Sequence, residues 1–266
     1  MKAEKIRLDV LLTQQGLTET RSLAQKLIIA GDVRVAGQVV TDPGHKVVPG
    51  VDLELLGGPK YVSRGGEKLA PALVDFGLTD LHGWICADVG ASTGGFTDCL
   101  LQHNAQKVYA IDVGYGILHW KLRSDPRVVV MERTNARHVL GLPESPALVT
   151  VDASFISLQI LLPVISGWFG PDGGQVVGLI KPQFEAGKKA VDKGEGVIHD
   201  PRIHHEVLEK VLGFALGQRF SLVGLVKSSL KGPKGNTEFL AHWKYPGNDL
   251  TPIESALIDR VIRDEY

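Results

Sequence analysis

Ile85-Cys86-Ala87-Asp88-Val89-Gly90-Ala91-Ser92-Thr93-Gly94-Gly95-Phe96 is the stretch on which the reading of this chain turns. A short apolar run ends in an aspartate, a glycine-rich turn follows, and the next residues can start a helix. That is a strand, a tight loop and a helix N-terminus, the place where open α/β sheets hold a nucleotide-like ligand. Glycine suits such a loop because it takes backbone angles closed to other residues and lets a ligand approach the main chain. The spacing Gly90-x-x-x-Gly94-Gly95 differs from that of nicotinamide binders. Asp88, Gly90, Ser92, Thr93, Gly94, Gly95 and Phe96 are the candidate ligand-binding residues of the turn.

Outward from that turn the pattern is regular. Strands are expected at 84–89, 107–111, 128–131, 148–151 and 175–180, with helical segments between them, as in a mostly parallel sheet covered on both faces. A last pair, 222–226 and 238–243, is separated by the turn-rich Lys231-Gly232-Pro233-Lys234-Gly235-Asn236 and reads as a hairpin-like end to a seven-stranded sheet. Asp112 closes the second strand. A carboxylate there can accept from both hydroxyls of a ribose, or it can cap a helix. Asn135 follows the third strand, where it either reads an adenine amino group or is a turn asparagine.

The first residues form a separate compositional unit. A short helix is expected at 7–15, closed by Gly16, and a second at 21–30, capped by Thr20 and ended by Gly31. Val33-Arg34-Val35 and Val51-Asp52-Leu53-Glu54-Leu55 alternate as half-buried strands. Gly57-Gly58-Pro59 punctuates the chain. The expected domains are 1–58, a linker at 59–64, and 65–266. Over residues 1–60 eight bases meet seven acids, so any nucleic-acid surface here is local. Arg7, Arg21, Lys26 and Arg34, with Arg64 beyond the linker, are the candidates for meeting phosphates.

Four polar residues mark the working edge of the sheet. Lys68 lies in Arg64-Gly65-Gly66-Glu67-Lys68-Leu69, and Asp152 ends the fourth strand. Lys181 ends the fifth, in Lys181-Pro182-Gln183-Phe184-Glu185, and Glu238 opens the last, in Gly235-Asn236-Thr237-Glu238-Phe239-Leu240. Residues at carboxyl ends of such strands share one crevice. The stretch from Glu185 to Asp200 reads as a mobile loop beside Lys181.

These motifs carry a resemblance. The glycine loop resembles the S-adenosylmethionine loop of FtsJ-like methyltransferases, and Lys68, Asp152, Lys181 and Glu238 resemble their catalytic tetrad. Arg21-Ser22-Leu23-Ala24-Gln25-Lys26-Leu27-Ile28 and the small sheet after it resemble an S4-like RNA-binding domain. With Arg133-Thr134-Asn135-Ala136-Arg137, the whole is similar to the TlyA family, rRNA 2′-O-methyltransferases also catalogued as hemolysins. Ser229 stands where that family favours proline. The resemblance implies a Rossmann-like α/β methyltransferase fold behind a small α+β S4-like domain. It implies S-adenosylmethionine as cofactor, and ribosomal RNA or ribosomal subunits as partner. It also implies methyl transfer to a ribose 2′-hydroxyl of cytidine, with Lys181 nearest the hydroxyl, Asp152 orienting it, and Lys68 and Glu238 in support.

Composition excludes some classes. Net charge is −1, so bulk basicity does not advertise nucleic acid. Cys86 and Cys99 fall in an expected strand and helix and read as core residues, not a disulfide framework. The nine histidines show no metal-ligand arrangement. Met1 to Arg7 is charged with no apolar run behind it, so no secretory signal is expected and the expected location is cytoplasmic. The longest uncharged run, 153–171, is interrupted by Ser157, Gln159, Pro163 and Gly167 and reads as a buried loop and crossover helix. Two rival readings remain at this stage. One is a membrane-active hemolysin; the other is a non-catalytic RNA-binding module that kept the fold.

Overall fold

The computed structural model describes residues 5–56, 59–187, 196–232, 234–249 and 251–265. The chain divides into two compact units, Met1–Lys60 and Tyr61–Tyr266.

In the first unit, β1 (Ile6–Arg7) leads into α1 (Leu8–Gln14), and α2 (Arg21–Ala30) packs on it through Leu8, Leu11, Leu12, Ala24, Leu27 and Ile28. Thr20 caps α2 by accepting the Leu23 N–H at 3.2 Å. Gly31 ends it in the left-handed region, at φ +82°, where a side chain would be strained. Then come β2 (Val33–Val35), β3 (Gln38–Val39), β4 (Lys46–Val47) and β5 (Leu53–Leu55). β2 is the centre of an antiparallel sheet with β3 and β5 as edges, and β4 pairs with β1.

Asp9 is fully buried in this unit. Its carboxylate accepts Nε and Nη2 of Arg7 at 3.0 Å each, Nε of Arg21 at 2.9 Å and Nε2 of Gln25 at 2.8 Å. These donors, Arg7 foremost, hold the carboxyl well below the usual carboxylate range against the opposing effect of burial. Arg7 and Arg21 therefore spend inner N–H groups on Asp9. Arg34 lies 3.4 Å from Glu54 across β2 and β5. Lys26 is exposed on α2, and no ion pair engages it among the described residues.

The second unit starts with α3 (Gly65–Asp75), β6 (Ile85–Val89), α4 (Gly95–Gln102), β7 (Lys107–Ile111), α5 (Trp120–Arg123) and β8 (Val128–Met131). β9 (Leu148–Val151), α6 (Leu158–Ser166), β10 (Gly174–Ile180) and α7 (Pro182–Glu185) follow. Then come α8 (Pro201–Gly217), β11 (Ser221–Lys227), β12 (Phe239–Tyr245) and α9 (Ser255–Arg263). The seven strands lie in the order β11-β12-β10-β9-β6-β7-β8. β12 is antiparallel to both neighbours, and β6 to β10 run parallel. One face is covered by α6, α8 and α9, burying Val89, Val149, Leu161, Leu208, Ile258 and Trp243. The other is covered by α3, α4 and α5, burying Leu69, Leu73, Cys86, Phe96, Leu100 and Leu122. Strand by strand the expected sheet is observed, with ends moved by one or two residues. Glu238 sits just before β12, not within it. The uncharged run 153–171 carries α6, and among the described residues no helix is long and apolar enough to cross a membrane.

Of the expected 59–64 linker, residues 61–64 belong to the second unit. Tyr61 is buried in its core, and the Val62 N–H donates to Asp98 at 2.9 Å. Gly66 makes this possible, since a Cβ there would come 2.2 Å from the Tyr61 ring.

Chain order places the crevice. From β6 the chain winds outward to β8, then returns to lay β9 against the other edge of β6. The loops leaving β6 and β9 therefore part company at the carboxyl edge. Asp88 ties that point together from below. It is fully buried, accepting Thr97 Oγ1 of α4 at 2.7 Å and Thr150 Oγ1 of β9 at 3.2 Å. No cation pairs with it among the described residues, and burial, with a smaller push from Asp152, raises its carboxyl to about 7.

Two stability predictions follow from these carboxylates. Asp9→Ala in the full chain removes an acceptor shared by three side chains and is expected to cost about 1–3 kcal/mol. Hydrogen exchange at α1 and α2 amides measures it. Because Asp9 is held low, its contribution is present above the unfolded value of ~3.9 and is lost as pH falls below it. Asp88 has the opposite sign. From about pH 4 to pH 7 the folded state keeps a proton that the unfolded chain has released, so stability declines as pH rises through that window. Asp88→Asn is therefore expected to raise the melting temperature at pH 8, with the gain shrinking as pH falls through that window and lost near pH 4, as scanning calorimetry of the ligand-free protein would register.

Candidate active site

The crevice is built by close backbone approach. Gly90 has φ +83°, and a Cβ there would lie 2.8 Å from the carbonyl oxygen of Asp152. Only glycine lets the loop after β6 touch the loop after β9. Gly94 has φ +99°, and a Cβ there would meet Leu122 Cδ1 at 2.1 Å and Leu118 Cδ1 at 2.9 Å. Its missing Cβ is needed for packing against Leu118 and Leu122. Asp88 likewise lines neither cavity, because its carboxyl points at Thr97 and Thr150 beneath the loop.

Two cavities meet over Gly90, Ser92 and Asp152. The larger, of about 570 Å³, is lined by Asp112, Val113, Ile117, Asn135 and Phe155 among others. The smaller, of about 330 Å³, is lined by Arg64, Lys68, Thr93, Gly95, Phe96 and Lys231 among others. Asp112 accepts the Ser92 N–H at 2.8 Å on one oxygen and the Gly114 N–H at 2.7 Å on the other. Each oxygen keeps a lone pair for a further donor. Asn135 Oδ1 accepts the Arg137 N–H at 3.1 Å, so the side chain does cap a turn. That leaves one lone pair on Oδ1, able to take an amino hydrogen, and the Nδ2 donor, able to meet a ring nitrogen. Ser92, Arg133 and Phe155 all hold positive φ around this crevice without being glycine. Such strain persists where surrounding structure fixes it.

The four polar residues come together as two ion pairs. Lys181 Nζ lies 2.5 Å from Asp152 Oδ1. It also donates to the carbonyls of Asp152 and Ala153 at 3.3 Å each and to Ser154 Oγ at 3.2 Å. Lys68 Nζ donates to Glu238 Oε2 at 2.6 Å. Gln183 Nε2 holds the other oxygen of Glu238 at 3.2 Å. Lys68, Lys181 and Glu238 are all buried. The expected support of Lys181 by Glu238 is not what the structure shows: Glu238 pairs with Lys68, and Lys181 rests on the loop after β9.

Several residues of the crevice escape a reading by motif. Glu185, expected to open a mobile loop, instead ends α7 and is buried. Its carboxylate takes Ser157 Oγ at 2.6 Å and the Leu158 N–H at 2.8 Å, which fixes the loop after β9. Residues 188–195 of that expected loop lie outside the described residues. Phe155 is 89% exposed, with its ring 4.9 Å from that of Phe184. The only signal in the sequence was its place four residues after the end of a parallel strand. Among the described residues no group of His, Cys, Asp and Glu is placed to hold a metal ion.

Known proteins match this architecture. Residues 61–245 match the FtsJ-like methyltransferase family and residues 6–53 match the S4 domain. The chain is 42% identical to the 16S/23S rRNA (cytidine-2′-O)-methyltransferase TlyA of Mycobacterium tuberculosis, over 98% of this chain and 97% of that one. It is 44% identical to hemolysin A of Brachyspira hyodysenteriae, over 90% of this chain and 99% of that one. A solved structure of a candidate hemolysin from Streptococcus thermophilus superposes with a TM-score of 0.73 at 43% identity, covering 98% of this chain and 95% of that one. With an S4 domain at its N-terminus and an FtsJ-like methyltransferase domain behind it, the chain belongs to the TlyA family.

Proposed function

We propose that this protein transfers a methyl group from S-adenosylmethionine to the ribose 2′-hydroxyl of a cytidine in ribosomal RNA. The carrying observation is that Lys181–Asp152 and Lys68–Glu238 are brought to one crevice, with Asp152 on both cavities and Lys68 on the smaller. The base and the RNA class follow the TlyA relative's activity. The N-terminal unit is the RNA-binding arm of this reading.

The larger cavity suits the cofactor. About 570 Å³ falls in the range of roughly 300–1,000 Å³ usual for small-molecule sites. Asp112 offers acceptors for a ribose diol, Asn135 a donor for a purine nitrogen, and Val113 and Ile117 apolar cover. Bound there, S-adenosylmethionine supplies an electrophilic methyl group on a cationic sulfur.

The chain's residues then act on the hydroxyl. Lys181, exchanging one of its 3.3 Å loop contacts, donates to the 2′-oxygen and offsets the negative charge gathering there. Asp152 is the nearest carboxylate able to receive the departing proton. Lys68, fixed by Glu238 and through it by Gln183, lines the smaller cavity and positions the incoming ribose. In-line placement alone can lower the barrier by ~7–11 kcal/mol. The exposed Phe155 ring, at the edge of the larger cavity, offers a stacking surface for a nucleobase.

Lys181→Ala is expected to lower turnover by about 10²–10³-fold, the scale of losing one charge-stabilising donor. S-Adenosylmethionine affinity should stay within a few-fold by calorimetry. Lys181→Arg should fail as well, because the planar, bulkier guanidinium does not place a donor where the ammonium does. Radiolabelled transfer to separated ribosomal subunits, followed by nucleoside analysis, reads both the loss and the position. Label on a base would overturn the ribose assignment. In the N-terminal unit, Lys26→Gln should weaken RNA binding and make its log–log salt slope shallower by about 0.7–0.9, one released counterion. An unchanged slope would remove Lys26 from the interface.

A further inference from the structure

The smaller cavity holds a cation that neither the tetrad nor the sequence motifs employ. Lys231 is exposed, lies in the turn before β12, and lines this cavity together with Arg64 and Lys68. Neither Lys231 nor Arg64 has an ion-pair partner among the described residues. The other charges in the cavity are already matched, Lys68 by Glu238 and Asp152 by Lys181. Two unmatched positive charges therefore flank the cavity in which Lys68 sits.

The placement of Lys231 is fixed from two sides. Ser229 Oγ donates to the Glu67 carbonyl of α3 at 3.4 Å, which ties the turn to the helix carrying Lys68. Gly232 lies so close to Glu238 that a Cβ would come 2.4 Å from its Oε1, and its N–H donates to the Asn236 carbonyl at 2.9 Å. The backbone of Lys231 is thus held against both partners of the Lys68–Glu238 pair.

Lys231 also lines a neighbouring cavity of about 390 Å³ behind Lys68. There Lys227 is paired with Asp264, and Asp75 stands without a cation among the described residues. That acid makes the rear cavity a poor seat for an anion. The charge favours an oxyanion on the Arg64 side only.

We propose that Lys231 and Arg64 clamp a backbone phosphate of the RNA strand next to the methylated ribose. This rests on the reading of the protein as an RNA ribose methyltransferase and adds a substrate contact to it. A phosphodiester is a singly charged oxyanion, and two cations lining one cavity match its two unesterified oxygens. The carboxylate of S-adenosylmethionine has the same chemistry, and the experiment separates the two.

The test uses the full-length protein with Lys231→Gln and Lys231→Arg. Three readings are taken: anisotropy of a labelled single-stranded RNA oligonucleotide over a salt series, steady-state methyl transfer to ribosomal subunits from cells lacking the enzyme, and calorimetry with S-adenosylmethionine. Lys231→Gln should weaken RNA binding and raise KM for subunits by about 3–10-fold, the loss expected of one phosphate contact, and make the salt slope shallower by about 0.7–0.9. Turnover at saturating RNA and cofactor affinity should change by less than about twofold, since the residue would touch only the strand. Lys231→Arg should restore binding. Unchanged RNA affinity and slope in Lys231→Gln, or a loss confined to cofactor affinity, overturns the clamp. So does a wild-type protein that binds no RNA. A wild type that binds RNA but leaves ribose unmethylated overturns the functional reading instead, and the salt series still decides the clamp.

Discussion

A carboxyl group with no cation beside it among the described residues holds the turning point of the sheet together. Asp88 reaches Thr97 at the start of α4 and Thr150 in β9, so one side chain joins the central strand, the helix it feeds and the strand that reverses the winding. Everything the crevice does depends on those three elements keeping their spacing. The loop after β6 touches the loop after β9 through Gly90, and both cavities open where they touch. A buried carboxyl is costly when charged, and hydroxyl donors offset only part of that cost. Stability at this point is thus exchanged for a fixed geometry.

The four polar residues above it divide into two pairs with different surroundings. Lys181 and Asp152 stand at adjacent strand ends and share oxygens of one loop. Lys68 and Glu238 belong to the first helix of the domain and the approach to its last described strand. The first pair is positioned by the sheet itself, and the second by packing of helix and turn around it. This explains why Asp152 borders both cavities while Lys68 borders only the one nearer α3.

Much of this was legible in the residues. The strands declare themselves as short apolar runs bounded by glycine, aspartate and proline, and the capped helix 21–30 is read to the residue because Thr20 and Gly31 are specific stop signals. Asp152, Lys181 and Glu238 stood out as polar groups beside strand ends, and Lys68 by its motif in the first helix. Partnership was not. Nothing local joins Glu238 to Lys68, Glu185 to Ser157, or Arg21 to Asp9, since each pair meets only after packing. The packing role of Gly94 was hidden for the same reason: its neighbours Leu118 and Leu122 lie beyond the next strand. Asp88 looked like a ligand group because it ends a strand, yet its side chain alternates to the closed side of the loop.

The Lys68–Glu238 pair spans 170 positions of the chain. A ribosome making this protein delivers Lys68 early and Glu238 only with β12, the strand that inserts between β10 and β11. Until then the parallel half of the sheet can form and its cofactor crevice can close, but Lys68 lacks its counter-ion and an amine so enclosed would be unfavourable there. The pair that anchors α3 to the far end of the sheet is therefore completed only by a late long-range contact.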